Sequence, residues 1–194
     1  MSTNRLEAFS DGVLAIIITI MVLELKVPEG YDLNALKPLI PTFLAYLLSF
    51  IYIGIYWNNH HHLLHAAQRV NGTTLWFNLH LLFWLSLIPV TTHWLGEHHA
   101  EIYPVAIYGF VLLMASIAYY LLSLSLVKTE GKDSLLARSL GKDKTGKLSM
   151  GIYGVGIALT FVNTWIGVAC YVLVAAIWFV PDKRIEKHLK QYEE

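Results

Sequence analysis

The sequence predicts an all-α, polytopic membrane protein with six transmembrane helices, and three observations lead there. Charged residues are 14% of the 194 and hydrophobic residues 56%, whereas ordinary soluble domains are about a quarter charged. The apolar residues gather in runs long enough to cross a hydrocarbon core, which takes about 20 residues as a helix. The basic residues fall almost entirely in alternate gaps between those runs, the asymmetry that orients membrane helices.

Taken in order, the spans are 6–25, 39–67, 75–95, 102–127, 148–163 and 165–181, one transmembrane domain over 1–181. From Phe9 to Leu25 the first carries only Asp11 and, near its end, Glu24; the next three carry no Asp, Glu, Lys or Arg. Met1 to Gly12 lacks the layout of a cleavable signal, so the first segment is expected to persist. Leu148 to Val180 is 33 uncharged residues, which as one helix would reach about 50 Å against a core of about 30 Å. It is split near Asn163-Thr164-Trp165. One long tilted helix, giving five spans, is the alternative, and charge decides against it. With six spans, 12 of the 14 basic residues lie on the side of both termini and only Lys26 and Lys37 on the other. Five spans would put the basic tail 182–194 outside. Both termini are therefore expected in the cytoplasm. In the tail, Ile185, Leu189 and Tyr192 recur at helical spacing; they fit an amphipathic extension on the inner surface or a solvated continuation of the last helix.

Composition also excludes function classes. Balanced charge leaves no basic stripe for nucleic acid. A single cysteine, Cys170, allows neither an intrachain disulfide nor a cysteine zinc site. No nucleophile triad, phosphate-cradling glycine loop or pair of catalytic carboxylates is present, so the chain is not expected to be an enzyme.

Chemistry concentrates in the first three spans. At 100° per residue, Ile16, Ile20 and Leu23 fall within about 60° of one another, with Thr19 about 60° from Ile16. This aliphatic stripe is either helix packing or the lining of a pore that gates by dewetting. Asp11 lies about 140° from Ile16 on the same geometry. A carboxylate at membrane depth is either an ion or proton site or a buried acid held by partners on other helices. Candidate partners are Arg5, six positions earlier, and the polar groups Trp57, Asn58, Asn59, His60, His61, His62 and His65 of the second span with Asn78 and His80 of the third. His61 and His65, four apart, could share a metal; a hydrogen-bonded polar belt needs neither a carboxylate nor a cysteine beside them. Pro89 marks a kink, and Gly151, Gly154, Gly156 and Ala158 suggest close helix packing. His98 and His99, beside Glu97 and Glu101, are expected in solvent.

Arg5-x-x-x-Phe9-Ser10-Asp11, with Trp57-x-x-His60, Asn78 and Pro89, resembles the signature of the transmembrane protein 175 family of potassium channels, across essentially the whole chain. The resemblance implies an oligomeric pore lined by the first helix, without the Thr-Val-Gly-Tyr-Gly filter that this sequence also lacks. It implies that Ile16, Ile20 and Leu23 are the constriction and gate and that Thr19 is the selectivity layer. Arg5, Phe9, Ser10, Asp11, Trp57, His60 and Asn78 become a structural network, with Asp11 held by one of the second-span imidazoles. One six-helix repeat resembles the single-repeat prokaryotic branch, which forms tetramers. The expected protein is thus a homotetrameric potassium channel of the plasma membrane, with no metal or cofactor, K+ as the permeant ion, and further copies of itself and the lipid bilayer as partners. The competing function is a small proton-coupled or metal-handling membrane protein built on the histidine cluster.

Overall fold

A computed structural model describes residues 3–131, 134, 136–137 and 143–179; the tail 182–194 and its expected amphipathic turn lie outside them. The described residues are helical, without strands. We number the helices α1 (Thr3–Leu23), α2 (Ile40–His65), α3 (Gly72–Ser86), α4 (Ile88–Glu97), α5 (Ile102–Glu130), α6 (Lys144–Thr160) and α7 (Thr164–Phe179), with a 3-10 turn, Leu33–Leu39, leading into α2. Four elements are long and apolar enough to cross a membrane: α1, the turn with α2, α3 with α4, and α5; α7 is a shorter apolar helix.

The breaks have local causes. Asp32 accepts from the Ala35 amide (3.1 Å) and starts the 3-10 turn, and Pro41 sits in the first turn of α2, where its missing N–H costs nothing. Asn71 caps α3 through the Thr74 amide (2.9 Å), and Asp143 caps α6 through the Gly146 amide (2.9 Å). The third apolar run divides at Leu87, because Pro89 cannot donate to the carbonyl four residues back. The Thr91 and Thr92 hydroxyls donate to carbonyls around that kink, at 3.1 and 2.7 Å, which resatisfies backbone in an apolar solvent. Gly131 ends α5 at φ 101, a conformation that glycine adopts without a Cβ clash. The long run 148–180 breaks at 161–163 between α6 and α7.

Helix α5 runs through the middle of the bundle against α3 and α6; α6 pairs with α7, and α2 with α4. Helix α1 is peripheral, touching α2, α3 and α4. The interior is unusually rich in tyrosine. Tyr52, Tyr108, Tyr153 and Tyr171 are buried together between α2, α5, α6 and α7, and the Tyr52 hydroxyl donates to the Tyr171 carbonyl at 2.5 Å. Ser49 Oγ lies 2.6 Å from the Thr92 hydroxyl and 2.9 Å from that of Tyr108, joining α2, α4 and α5. At one end the Glu130 carboxylate accepts from the amides of Gln68 and Arg69 (2.8 and 2.6 Å), tying the α2–α3 connection to α5.

Close packing through small residues is more selective than the sequence suggests. A Cβ on Gly156 would lie 2.9 Å from Cys170 Cβ, so this glycine does let α6 and α7 approach. Gly151 and Gly154 face open space and Ala158 is exposed, so these three do not build that contact. The tightest glycine is Gly109, where a Cβ would sit 2.0 Å from the Tyr171 hydroxyl. Gly109→Ala is therefore expected to lower stability by about 1–3 kcal/mol through overpacking, while Gly151→Ala changes it little. Melting of the purified protein in detergent measures both; equal melting temperatures for the two variants would contradict this packing.

Candidate functional site

Helix α1 has two faces of different character. Leu6, Ser10, Leu14, Ile17 and Met21 are buried against the bundle. Ile16 (58% exposed), Ile20 (43%) and Leu23 (80%) stand on the uncovered side, with Phe9, Gly12, Ala15 and Thr19. The stripe therefore stands on the side of α1 that its own chain leaves largely uncovered, with Ile16 and Ile20 at the edge of a groove shared with Ser86, Pro89, Val90 and His93. Thr19 shares that side, and its hydroxyl donates to the Ile16 carbonyl at 2.9 Å; this satisfies the donor within the helix and leaves the oxygen lone pairs outward.

The buried face is held by a directional chain of hydrogen bonds. His60 Nε2 lies 2.7 Å from Asn78 Oδ1, and since an amide oxygen only accepts, the imidazole donates. Asn78 Nδ2 then donates to Ser10 Oγ (2.9 Å), and Ser10 Oγ to the Leu6 carbonyl (2.8 Å). All three side chains are buried, Ser10 and Asn78 completely. Each donor along the chain meets one acceptor, so α2, α3 and α1 are joined at a fixed register.

Asp11 lies outside this chain and is half-buried. Its Oδ1 accepts from the Trp57 indole N–H at 3.0 Å. The hydrogen bond to Asp11 thus comes from the indole one turn earlier on α2, because His60 points at Asn78; this corrects the expectation of an imidazole. Arg5 is exposed, as is Phe9. His80 also leaves the expected belt, its Nε2 accepting from Trp84 on its own helix at 2.9 Å. A tie that the sequence reading missed is Glu7 Oε1 to His61 Nδ1, 2.6 Å, between α1 and α2. Its signal was available: Glu7 lies four residues before Asp11, on the same face of α1.

His61 and His65 stack with ring centroids 5.9 Å apart and an interplanar angle of 18°. Among the described residues no group of three or more His, Cys, Asp or Glu is arranged to hold a metal ion.

The far end of α1 is held differently. Lys26, just past the helix, pairs with Glu97 of α4, and the hydrogen bond and charge of that carboxylate raise the ammonium above the ordinary lysine range. His93 of α4 lies between Glu24 and Glu97, 3.6 Å from each. Polar contacts therefore hold α1 near both ends, apolar packing holds one face between them, and the aliphatic stripe stays free.

A family model described as endosomal/lysosomal potassium channel TMEM175 matches residues 5–89. A protein of Chryseobacterium sp. (strain P1-3) named as a potassium channel is 55% identical over 98% of this chain and 100% of its own length. The crystal structure of a lysosomal potassium-selective channel TMEM175 homolog from Chamaesiphon minutus superposes with a TM-score of 0.80 at 30% identity, covering 91% of this chain and 95% of that one. The mouse protein named endosomal/lysosomal proton channel TMEM175 is 31% identical over 60% of this chain, which spans 27% of it.

Ser10→Ala removes the acceptor of Asn78 and leaves a fully buried amide donor unpaired. It is expected to cost about 1–3 kcal/mol. Arg5→Ala, at an exposed position, is expected to stay within about 0.5 kcal/mol of the wild type. Detergent melting curves of the two variants make the comparison, and an equal effect of both would contradict the role of the buried chain.

Proposed function

The chain belongs to the TMEM175 family, and on that premise we propose that it is a potassium-selective channel that works as a homotetramer in the plasma membrane, both termini cytoplasmic. The protein is an all-α membrane protein of a channel family and not an enzyme. The observation that carries the pore reading is the uncovered aliphatic stripe of Ile16, Ile20 and Leu23 on a helix whose opposite face is pinned. One copy cannot enclose a path with one stripe; four copies around an axis can. The relatives named as a potassium channel and a potassium-selective channel, and the gathering of basic residues on one side, support the substrate and the orientation.

In this reading ions approach hydrated and meet successive aliphatic rings, where the barrier is loss of hydration in a narrow apolar passage. K+ gives up its water more readily than Na+, so desolvation itself discriminates without a cage of carbonyls. Thr19 supplies an oxygen layer between the Ile16 and Ile20 rings. Ser10, Asp11, Trp57, His60 and Asn78 position α1 and do not ligate ions, since Asp11 is engaged by Trp57 away from the stripe.

Potassium flux through protein reconstituted in liposomes tests this function. The expected result is flux well above empty vesicles, raised further by Ile16→Asn, which wets the ring, and with weaker K+ over Na+ preference in Thr19→Val. No flux from correctly assembled protein would overturn the channel. A destabilised Ile16→Asn variant without added flux would return the stripe to packing.

A further inference from the structure

A cavity of about 40 Å³ lies among α2, α5, α6 and α7, apart from α1 and its stripe. It reaches from Tyr52 and Tyr153, in the middle of the bundle, to Asp143 and Gly146 at the start of α6. Six rings line it, those of Tyr52, Tyr56, Tyr119, Tyr120, Tyr153 and Trp178. Aromatic faces carry the negative part of a quadrupole and attract cations. Asp143 is the one lining residue with a formal charge at neutral pH.

Hydrogen bonding decides what such a cavity can receive. The Trp178 indole donates to Ser149 Oγ (2.8 Å), Asn59 Nδ2 to the Ile55 carbonyl (2.8 Å), the Tyr119 hydroxyl to the Asn59 carbonyl (3.1 Å) and the Tyr52 hydroxyl to the Tyr171 carbonyl (2.5 Å). These donors are already engaged by the protein. Asp143 accepts from the Gly146 amide through Oδ1 (2.9 Å) and joins none of the ion pairs among the described residues, so Oδ2 keeps its lone pairs. An occupant that matches this lining brings N–H donors and a positive charge. A phosphate or carboxylate would meet Asp143 and the ring faces with the wrong sign, and a hydrocarbon would leave the carboxylate oxygen unmet.

The chain itself places an ammonium on one of these rings: Lys147 Nζ stands 5.8 Å from the centroid of Tyr120, within cation–π range. Lys147 does not line the cavity, so the interior rings keep their faces. Size narrows the class further. A water-sized group takes about 10–15 Å³ of such space, so the cavity admits about three non-hydrogen atoms. That is an ammonium with one or two methylenes, the remainder of its chain lying outside.

We propose that this cavity is a binding site for the terminal ammonium group of a linear aliphatic amine. The ammonium donates to Asp143 Oδ2 and sits against the ring faces, and its first methylenes pack between them. The site is separate from the stripe of α1 and does not rest on the channel reading.

Melting of the purified protein in detergent tests it, since a ligand that binds only the folded state raises the melting temperature. With about 100 mM n-butylammonium chloride the rise over equal sodium chloride is expected to be about 2 °C. Neither n-butanol, of the same length without the charge, nor tetraethylammonium, charged but bulky and without an N–H, is expected to give it. Asp143→Asn keeps the cap on Gly146, because asparagine caps as well as aspartate, and removes the charge; it is expected to abolish the rise. Trp178→Leu removes one ring while Ser149 keeps its bond to the Thr145 carbonyl, and is expected to lower the rise to about half or less. Melting without the amine shows that each variant folds, and where one does not, the other decides. No rise in the wild type, a full rise in either folded variant, or an equal rise with n-butanol or tetraethylammonium overturns the site.

Discussion

The arrangement depends on the hydrogen-bond chain from His60 through Asn78 and Ser10 to the Leu6 carbonyl. In an apolar solvent, burial of aliphatic side chains does not by itself choose among helix faces, since lipid is as apolar as leucine. Polar bonds inside the bundle do choose. This chain admits one rotation and one height of α1 against α2 and α3, and the same rotation that buries Ser10 turns Ile16, Ile20 and Leu23 outward. The Trp57–Asp11 and His61–Glu7 contacts add to the same side and the same end. A helix held in this way presents its free stripe as a rigid surface, the property that a ring of identical helices requires to make a passage of defined width.

The rest of the bundle serves as the frame for that helix. Helix α5 crosses the centre, with the buried tyrosines of α2, α5, α6 and α7 filling the space around it; the Tyr52 hydroxyl donates to the Tyr171 carbonyl and that of Tyr108 meets Ser49. Past the break at Leu87, the later turns of α4 reach the end of α1, where Lys26 meets Glu97 and His93 faces Glu24. One apolar run thus supplies Asn78 to one half of α1 from α3 and carboxylate and imidazole partners to the other half from α4. Gly96 makes this approach feasible on the α2 side, because any Cβ there would lie 2.7 Å from the Thr42 backbone.

Much of this was legible in the sequence. Apolar runs, the distribution of Lys and Arg, and the break between α6 and α7 follow from hydropathy and helix length alone. The stripe is a matter of helical period, and the signature residues Ser10, Asp11, Trp57, His60 and Asn78 do meet across α1, α2 and α3. What periodicity could not supply was pairing. His60 and Trp57 are three residues apart on one face of α2, so spacing could not say which of them takes Asp11; the reach to Asn78 decided it. The buried tyrosines were illegible because a tyrosine in an apolar run suits the core and the membrane boundary equally. Gly151 and Gly154 suggested packing, yet only Gly156 shares the face turned to α7.

In the proposed channel the free stripe of α1 is covered by the same stripe of neighbouring copies around an aqueous path. Disulfide formation between copies bearing Leu23→Cys, in a Cys170→Ser background and in liposomes, tests it most directly, with Val162→Cys, exposed at the α6–α7 turn, as the comparison. Oxidation is expected to link Leu23→Cys chains into covalent pairs and block flux, while Val162→Cys chains stay single. Chains with Leu23→Cys that remain unlinked, under conditions in which the intact assembly is otherwise demonstrated, would contradict it.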